Sequence, residues 1–224
     1  MKIFASDGKQ RNTDPNTYRT LPSFRHQTTT NFTKWYGPGT SFSAPTRNDG
    51  VAPVANSLLA FPYVFEVPVT VYELAMYVTS TGVNGFRFGL YDNYSEDILY
   101  PNKLLVDSGA QSGASTGLKA APAIIYLAAG LYWFVSLFES VADPQFARFE
   151  ATNTHGYAWA NLGTPNVSTN TLATPQLGWF ISYTYGSLPE VFPSSDNAAT
   201  PRGAQVYAAT TTQTPIPAVL ARLT

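Results

Sequence analysis

The two histidines of the chain are the residues most able to act as catalytic bases or metal ligands, because imidazole titrates near neutral pH. His26 and His155 lie far apart in the sequence, and neither is placed at the spacing of a metal-binding pair. A Ser/His/Asp site that joins His155 to Asp143 stays open, although we find no nucleophile-elbow pattern around any serine. We therefore predict no metal, no cofactor and no enzyme activity.

The carboxylates offer two further kinds of chemistry. Asp92, Glu96 and Asp97 lie close together in sequence and would supply oxygen ligands for Ca²⁺, but the glycine and the distal glutamate of an EF-hand loop are missing. Glycoside hydrolysis needs two acids about 5 to 10 Å apart across a cleft, which the adjacent Glu96 and Asp97 do not predict. A polysaccharide depolymerase is accordingly the least favoured function.

The segment from residue 155 to 161, with the sequence HGYAWAN, is the best candidate for a glycan contact. The rings of Tyr157 and Trp159 are suited to stacking on sugar rings, and His155 and Asn161 offer hydrogen bonds. In the favoured alternative, Tyr157 and Trp159 are successive inward-facing residues of a strand, since alternate strand residues share one face.

The composition favours assembly and argues against several other classes. Only 12% of the 224 residues are charged, about half the usual share, and the formal net charge is −1. No basic patch that would attract nucleic acid is visible. Interface cores are depleted of charge, so we expect homo-oligomers. The chain has no cysteine, and neither a signal peptide nor membrane insertion is predicted from its short and interrupted apolar runs.

Two regions are predicted. Residues 1 to 52 show no period of 2 or 3.6, and their scattered aromatics predict an extended N-terminal arm that is either a disordered leader or, as we favour, a docking segment that folds onto a partner. The candidate anchoring residues are Phe24, Phe32, Trp35 and Tyr36.

Residues 53 to 224 are predicted to form one all-β domain, an antiparallel jelly-roll-like β-sandwich without long helices. Period-two alternation predicts a strand at 69–79, a turn at Asn84-Gly85 that makes a hairpin with the next strand, and a polar loop at 92–102. Strands 124–127 and 131–138 flank a second reversal and are apolar on both faces. This pattern predicts central strands that are covered by the sister sheet on one side and by a neighbour on the other.

Three segments in a fixed order resemble a known family. They are Gly85-Phe86-Arg87-Phe88-Gly89-Leu90-Tyr91-Asp92, then Tyr100-Pro101-Asn102-Lys103-Leu104-Leu105-Val106-Asp107-Ser108-Gly109, then Ala129-Gly130-Leu131-Tyr132-Trp133-Phe134, with residues 217 to 223 as a closing strand. Together they resemble the jelly-roll modules of tailed-bacteriophage structural proteins. The resemblance implies a virion location, trimeric or higher assembly and no catalysis.

The leading hypothesis is thus a bacteriophage virion structural protein, on the tail or the capsid surface, in which the arm anchors an oligomeric knob or fibre component to other virion proteins. A trimer is favoured, and the module would contribute to assembly or to attachment to a host surface glycan. The alternative is a stand-alone carbohydrate-binding module or adhesin.

Overall fold

The computed structural model describes residues 35–36, 55–65, 67–95, 98–140, 144–149, 167–168, 171–172, 176–193, 205–208, 216–217 and 219–223. Every regular element in these ranges is a β-strand. In chain order the strands are β1 (Trp35–Tyr36), β2 (Ser57–Phe65), β3 (Val69–Ser80), β4 (Gly85–Ser95), β5 (Ile98–Asp107), β6 (Gln111–Ser112), β7 (Gly117–Leu127), β8 (Gly130–Phe138), β9 (Gln145–Phe146), β10 (Arg148–Phe149), β11 (Val167–Ser168), β12 (Thr171–Leu172), β13 (Gln176–Ser182), β14 (Gln205–Ala208), β15 (Ile216–Pro217) and β16 (Leu220–Leu223).

The strands form two main antiparallel sheets. The large sheet has the order β14-β13-β2-β8-β4-β5, with β6 paired to β4, and the small sheet has the order β1-β16-β3-β7, with β9 paired to β3. The strands β10 and β15 pair with each other, as do β11 and β12. Two stacked antiparallel sheets confirm the predicted all-β sandwich.

The principal core lies between the two sheets. The large sheet contributes phenylalanines, and the small sheet contributes mostly aliphatic residues of β3, such as Leu74 and Met76. Phe146 of β9 closes one end, with its ring centroid 4.6 Å from that of Phe86 and 5.0 Å from that of Phe138. Each fully buried side chain of this size contributes about 1.5 to 3 kcal/mol. This core therefore holds the sandwich together without disulfides.

The chain passes between the sheets more often than the sequence predicted. β3 lies in the small sheet and β4 in the large one, so the turn at Asn84-Gly85 is a crossover and not the predicted hairpin. The reversal at 128–129 is a crossover too, from β7 to β8. A strand with one buried face shows the same alternation of apolar residues in two cases: the next strand can pair with it in the same sheet, or it can lie across the core in the other sheet. This ambiguity explains why both connections were predicted wrongly. These crossings give the sandwich its jelly-roll-like character.

The predicted polar loop at 92–102 is wrong as well, because most of this segment extends the β4 and β5 hairpin. Polar side chains stabilise the hairpin where its register is irregular. The Oδ1 atom of Asp92 accepts a hydrogen bond from the Lys103 amide at 2.6 Å, and the Oδ1 atom of Asn93 accepts one from the Tyr100 amide at 3.2 Å. Polarity at these positions reflects bonds to backbone amides rather than a loop.

A second apolar cluster lies on the outer face of the large sheet, under a strap formed by residues 183–193. Hydroxyl groups of the sheet donate to strap carbonyls, from Tyr91 to Pro189 at 2.5 Å and from Tyr100 to Pro193 at 2.6 Å. The aromatic side chains buried in this cluster are Tyr91, Tyr100, Trp133 and Phe192. The strap, a segment of the same chain, therefore covers the outer side of β8, where the sequence predicted a neighbour.

One carboxylate fixes the strap to the sheet edge. Asp107 accepts a hydrogen bond from the Leu188 amide at 3.2 Å and another from the Gly109 amide at 2.8 Å. Its Oδ2 atom also lies 2.9 Å from Nη1 of Arg87. Gly89 lies beside this pair, where a methyl group would overlap the carbonyl oxygen of Val106. A residue without a side chain is needed there for the strap to approach.

Candidate functional site

Most residues that the sequence singled out lie outside the described ranges. This applies to the glycan candidates His155, Tyr157, Trp159 and Asn161, to the anchoring candidates Phe24 and Phe32, and to His26, Glu96, Asp97 and Asp143. Their predicted roles therefore stay predictions.

Trp35 and Tyr36, by contrast, are described, and together they form β1 at the edge of the small sheet. Trp35 lies opposite Arg222 of β16, and Tyr36 lies opposite Ala221. Arg222 in turn pairs with Glu73 of β3, at 2.9 Å between Nη2 and Oε1. The half-buried Trp35 is consequently on the solvent side of the small sheet, and this part of the predicted arm adds a strand to the sandwich itself.

The solvent side of β3 and β7 carries a concentration of exposed apolar side chains. We call it the open face, and its large residues are Tyr72, Tyr77, Leu118, Ile124 and Tyr126. The register explains how they come together, since Tyr77 lies opposite Leu118, and Thr70 lies opposite Tyr126. Ile124 is 73% exposed and Tyr126 is 70% exposed, although side chains of these types are usually inside. Among the described residues, no strap covers this face as one covers the large sheet.

The alternation of β3 predicted this face only in part. Strict alternation would put Tyr72 on the side of Leu74, Met76 and Val78, but the structure buries Val71 in place of Tyr72. A register irregularity between Val71 and Glu73 is the cause, because an extra residue on one strand reverses the sides of the residues beyond it. The same irregularity places Ile124 at a backbone φ of 42°.

The charge on this face is balanced. Among the described residues of the small sheet's solvent side, the charged groups are Glu73 and Arg222, which pair with each other. Lys119 of β7 lies opposite the buried Met76, and its Nζ atom donates to the Ser115 hydroxyl at 2.6 Å. The open face therefore offers apolar area and tyrosine hydroxyls but no excess charge.

A second site is a cleft of about 440 Å³ beside the tip of the β4 and β5 hairpin. Its lining residues are Asp92, Asn93, Ser95, Leu99, Gly130, Leu131 and Tyr132.

The wall of this cleft is fixed from behind. The side-chain oxygen Oδ1 of Asn93 accepts a hydrogen bond from Nε1 of Trp133 at 2.9 Å. The Tyr132 hydroxyl donates to the backbone carbonyl of Ala128 at 3.1 Å. Burial, and then the nearby Asp92 carboxylate, raise the pKa of Tyr132, so its phenol stays protonated at neutral pH. A carboxylate and a phenol at an open cleft can hydrogen-bond a polyol. Among the described lining residues, the acid is Asp92.

The expectation that no serine lies in a nucleophile-elbow pattern is wrong for the amino-acid letters, but the structure excludes the elbow itself. Gly113-Ala114-Ser115-Thr116-Gly117 has the letters of a nucleophile elbow, G-x-S-x-G. In the structure this segment joins β6 to β7, and Ser115 is an exposed residue at a link between two strands. An elbow requires a strand followed by a helix, so Ser115 does not have the geometry of that nucleophile.

No group of three or more potential metal ligands occurs within the described ranges. The same part of the chain contains no helix long and apolar enough to cross a membrane.

Comparison of the chain with protein-family models, with curated proteins and with solved structures finds no match. The resemblance to phage modules therefore stays a prediction from the quoted segments. The proposed function depends on the open face and the cleft.

Proposed function

We propose that this protein is a structural subunit of a virus particle, which acts by homo-oligomeric assembly and not by catalysis. The observation that supports it best is the open face. Monomers rarely expose a contiguous apolar patch without using it for binding, and this patch groups five large apolar side chains on one strand pair.

The contrast between the two outer faces of the sandwich strengthens this proposal. Both β7 and β8 read as apolar on both sides, but within the described ranges the strap covers β8 and no strap covers β7. An outer face that keeps large apolar side chains exposed is suited to receiving a separate surface. The low charge content is consistent with this, since few charged groups would have to be desolvated on assembly.

The N-terminal arm anchors the domain in this proposal, but the anchoring segment is shorter than the predicted 1 to 52. Because Trp35 and Tyr36 pair with β16, we assign the attachment to other virion proteins to residues 1 to 34, which include Phe24 and Phe32. Removing residues 1 to 34 should leave the sandwich folded and self-associating, and it should abolish incorporation into particles. A second truncation, of residues 1 to 36, also removes β1 and tests whether this strand is needed for stability.

Light scattering coupled to size-exclusion chromatography tests assembly directly. The full-length chain should elute as an oligomer whose mass falls on dilution, whereas a monomer at every concentration would contradict the proposal. Gold-labelled antibody on purified particles tests the virion location, with labelling expected at the tail or the capsid surface.

The cleft favours a second candidate function, a carbohydrate-binding module or adhesin. Its fixed wall, the Asp92 carboxylate and the protonated Tyr132 phenol would bind a neutral sugar through the hydroxyl groups of that sugar. A glycan array with the wild-type chain and with Asp92→Asn tests this function. Binding that the substitution abolishes would support it, and an empty array would leave assembly as the proposed function.

A further inference from the structure

The free edge of β7 is unsuited to strand addition. β7 ends the small sheet, and β3 is the strand that pairs with it in the described part of the chain. An exposed edge of 11 residues would ordinarily invite another strand. Pro122 lacks an amide hydrogen, however, and the register irregularity beside it interrupts the ladder. Proline and bulges are the devices by which natural edge strands avoid pairing with other chains.

The backbone at Ile124 is strained while its side chain is exposed. A φ of 42° is unfavourable for a β-branched residue. With 73% of its surface exposed, the isoleucine recovers little burial within the monomer. Strained residues persist where the surrounding structure fixes them, and they concentrate at functional positions. Residue 124 is therefore better explained by a contact that forms outside the monomer.

The open face also matches itself. Its one ion pair, Glu73 with Arg222, is neutral as a unit, so two copies of the face meet without repulsion between like charges. A partner with a strongly charged surface, such as nucleic acid or an anionic lipid layer, would find no complementary charge there. The hydroxyls of Tyr77 and Tyr126 can act as both donors and acceptors, so identical faces can satisfy each other's hydrogen bonds.

We infer that the open face packs against the open face of a second copy of this chain, sheet on sheet, and that the β7 edge stays unpaired. This inference rests on the proposed self-association and adds its partner and its geometry. Sheets with the same twist stack about 10 Å apart with strands about 30° from parallel. A patch that contacts the identical patch closes at two copies, so the unit formed is a dimer.

The size of the face suits such a contact. The 11 residues of β7 extend about 36 Å at about 3.3 Å per residue. The two strands of the open face, β3 and β7, take up about 10 Å of width at about 4.8 Å each. The projected area is then about 350 Å², and side-chain relief enlarges the accessible area into the range of small, weak interfaces, below the roughly 800 Å² per partner of a standard one.

A matched pair of substitutions tests the inference on the full-length chain. Tyr126→Glu puts a charge on the open face, and Val83→Glu puts the same charge on a side chain that is 95% exposed in the link between β3 and β4. Light scattering should show that the wild-type chain is a dimer. Tyr126→Glu should raise the dissociation constant of this dimer at least about tenfold, and Val83→Glu should leave it unchanged. Circular dichroism should be the same for both variants and the wild type, and Leu118→Glu repeats the test should Tyr126→Glu unfold the domain.

Hydrogen exchange separates the face from the edge. Alternate amides of β7 point away from β3, and in the dimer they should exchange as fast as in the diluted monomer. Strong protection of these amides on association would overturn the inference in favour of strand addition at the β7 edge. A trimeric mass, or a dimer that Tyr126→Glu does not weaken, would show that the open faces do not pair. In each of these cases self-association itself would stand. A wild-type chain that is monomeric throughout would instead remove the proposed function.

Discussion

Glycine at residue 124 should make the folded monomer more stable, although it removes a large apolar side chain. The strain of a β-branched residue at a φ of 42° is worth about 1 to 3 kcal/mol. Against this, glycine costs about 0.5 to 1 kcal/mol in backbone entropy. The isoleucine is 73% exposed, so about a quarter of a burial term of about 1.5 to 3 kcal/mol is also lost. The balance for Ile124→Gly is a stabilisation of about 0.5 to 1 kcal/mol.

A comparison with alanine isolates the backbone contribution. Ile124→Ala loses the same burial but keeps the unfavourable φ, so it should be about 1 kcal/mol less stable than Ile124→Gly. The same pair of substitutions at Tyr126, which is on the same strand and has no positive φ, should show the opposite order, with alanine the more stable.

Urea unfolding followed by tryptophan fluorescence measures these differences. The protein should be dilute enough to be monomeric, because self-association would add its own concentration-dependent stability. Should alanine be more stable than glycine at residue 124, the left-handed backbone would not be strained there, and the argument that Ile124 is retained for an external contact would fail.

Three other perturbations test the large sheet and its strap. Gly89→Ala should cost at least about 2 kcal/mol in urea unfolding because its methyl group would overlap the Val106 carbonyl oxygen, whereas Gly109→Ala, with φ of 69° and open space around it, should cost about 1 kcal/mol. Asp107→Asn should cost about 1 to 3 kcal/mol, since it leaves the half-buried guanidinium beside it without its carboxylate, and a loss below 0.5 kcal/mol would contradict that role. Burial raises the pKa of Tyr91 far above that of a tyrosine in the unfolded chain. Above about pH 10 the unfolded chain therefore loses this proton while the folded chain keeps it, and the free energy of unfolding should fall by up to about 1.4 kcal/mol per pH unit. Tyr91→Phe should flatten that decline, and an unchanged pH profile would refute the assignment.

Alternation and turn residues were enough to predict the all-β sandwich, although they wrongly assigned residues 92–102 to a loop. Alternation along β13 places Trp179 and Ile181 on one face, and both pack on the second apolar cluster. The pairing of strands was not predictable in the same way. A buried face looks the same whether the next strand lies beside it or across the core, and so Asn84-Gly85 was assigned to a hairpin.

The candidate sites depended on features that a sequence pattern does not carry. An irregular register moves Tyr72 from the buried side to the solvent side, and nothing in the letters of β3 marks that position. The strap is similar, because Pro189 and Pro193 lie in a segment rich in turn residues. Their carbonyls accept hydrogen bonds from tyrosines about 90 to 100 residues earlier in the chain. Only the apolar character of β7 and β8 on both sides indicated that both outer faces need a cover.

The distribution of aromatic side chains separates assembly from sugar binding more sharply than their number does. Tyr91 and Trp133 are fully buried, and their polar groups bond to Pro189 and Asn93, so neither offers a ring to a ligand. The tyrosines of the open face lie instead on the small sheet and are not among the described residues that line the cleft. A sugar site needs aromatic rings and hydrogen-bonding groups at one place, and in the described part of the chain the cleft contributes a single tyrosine whose ring already packs on Phe65 at 5.6 Å. A sheet of tyrosine and aliphatic side chains, by contrast, has what a second sheet requires.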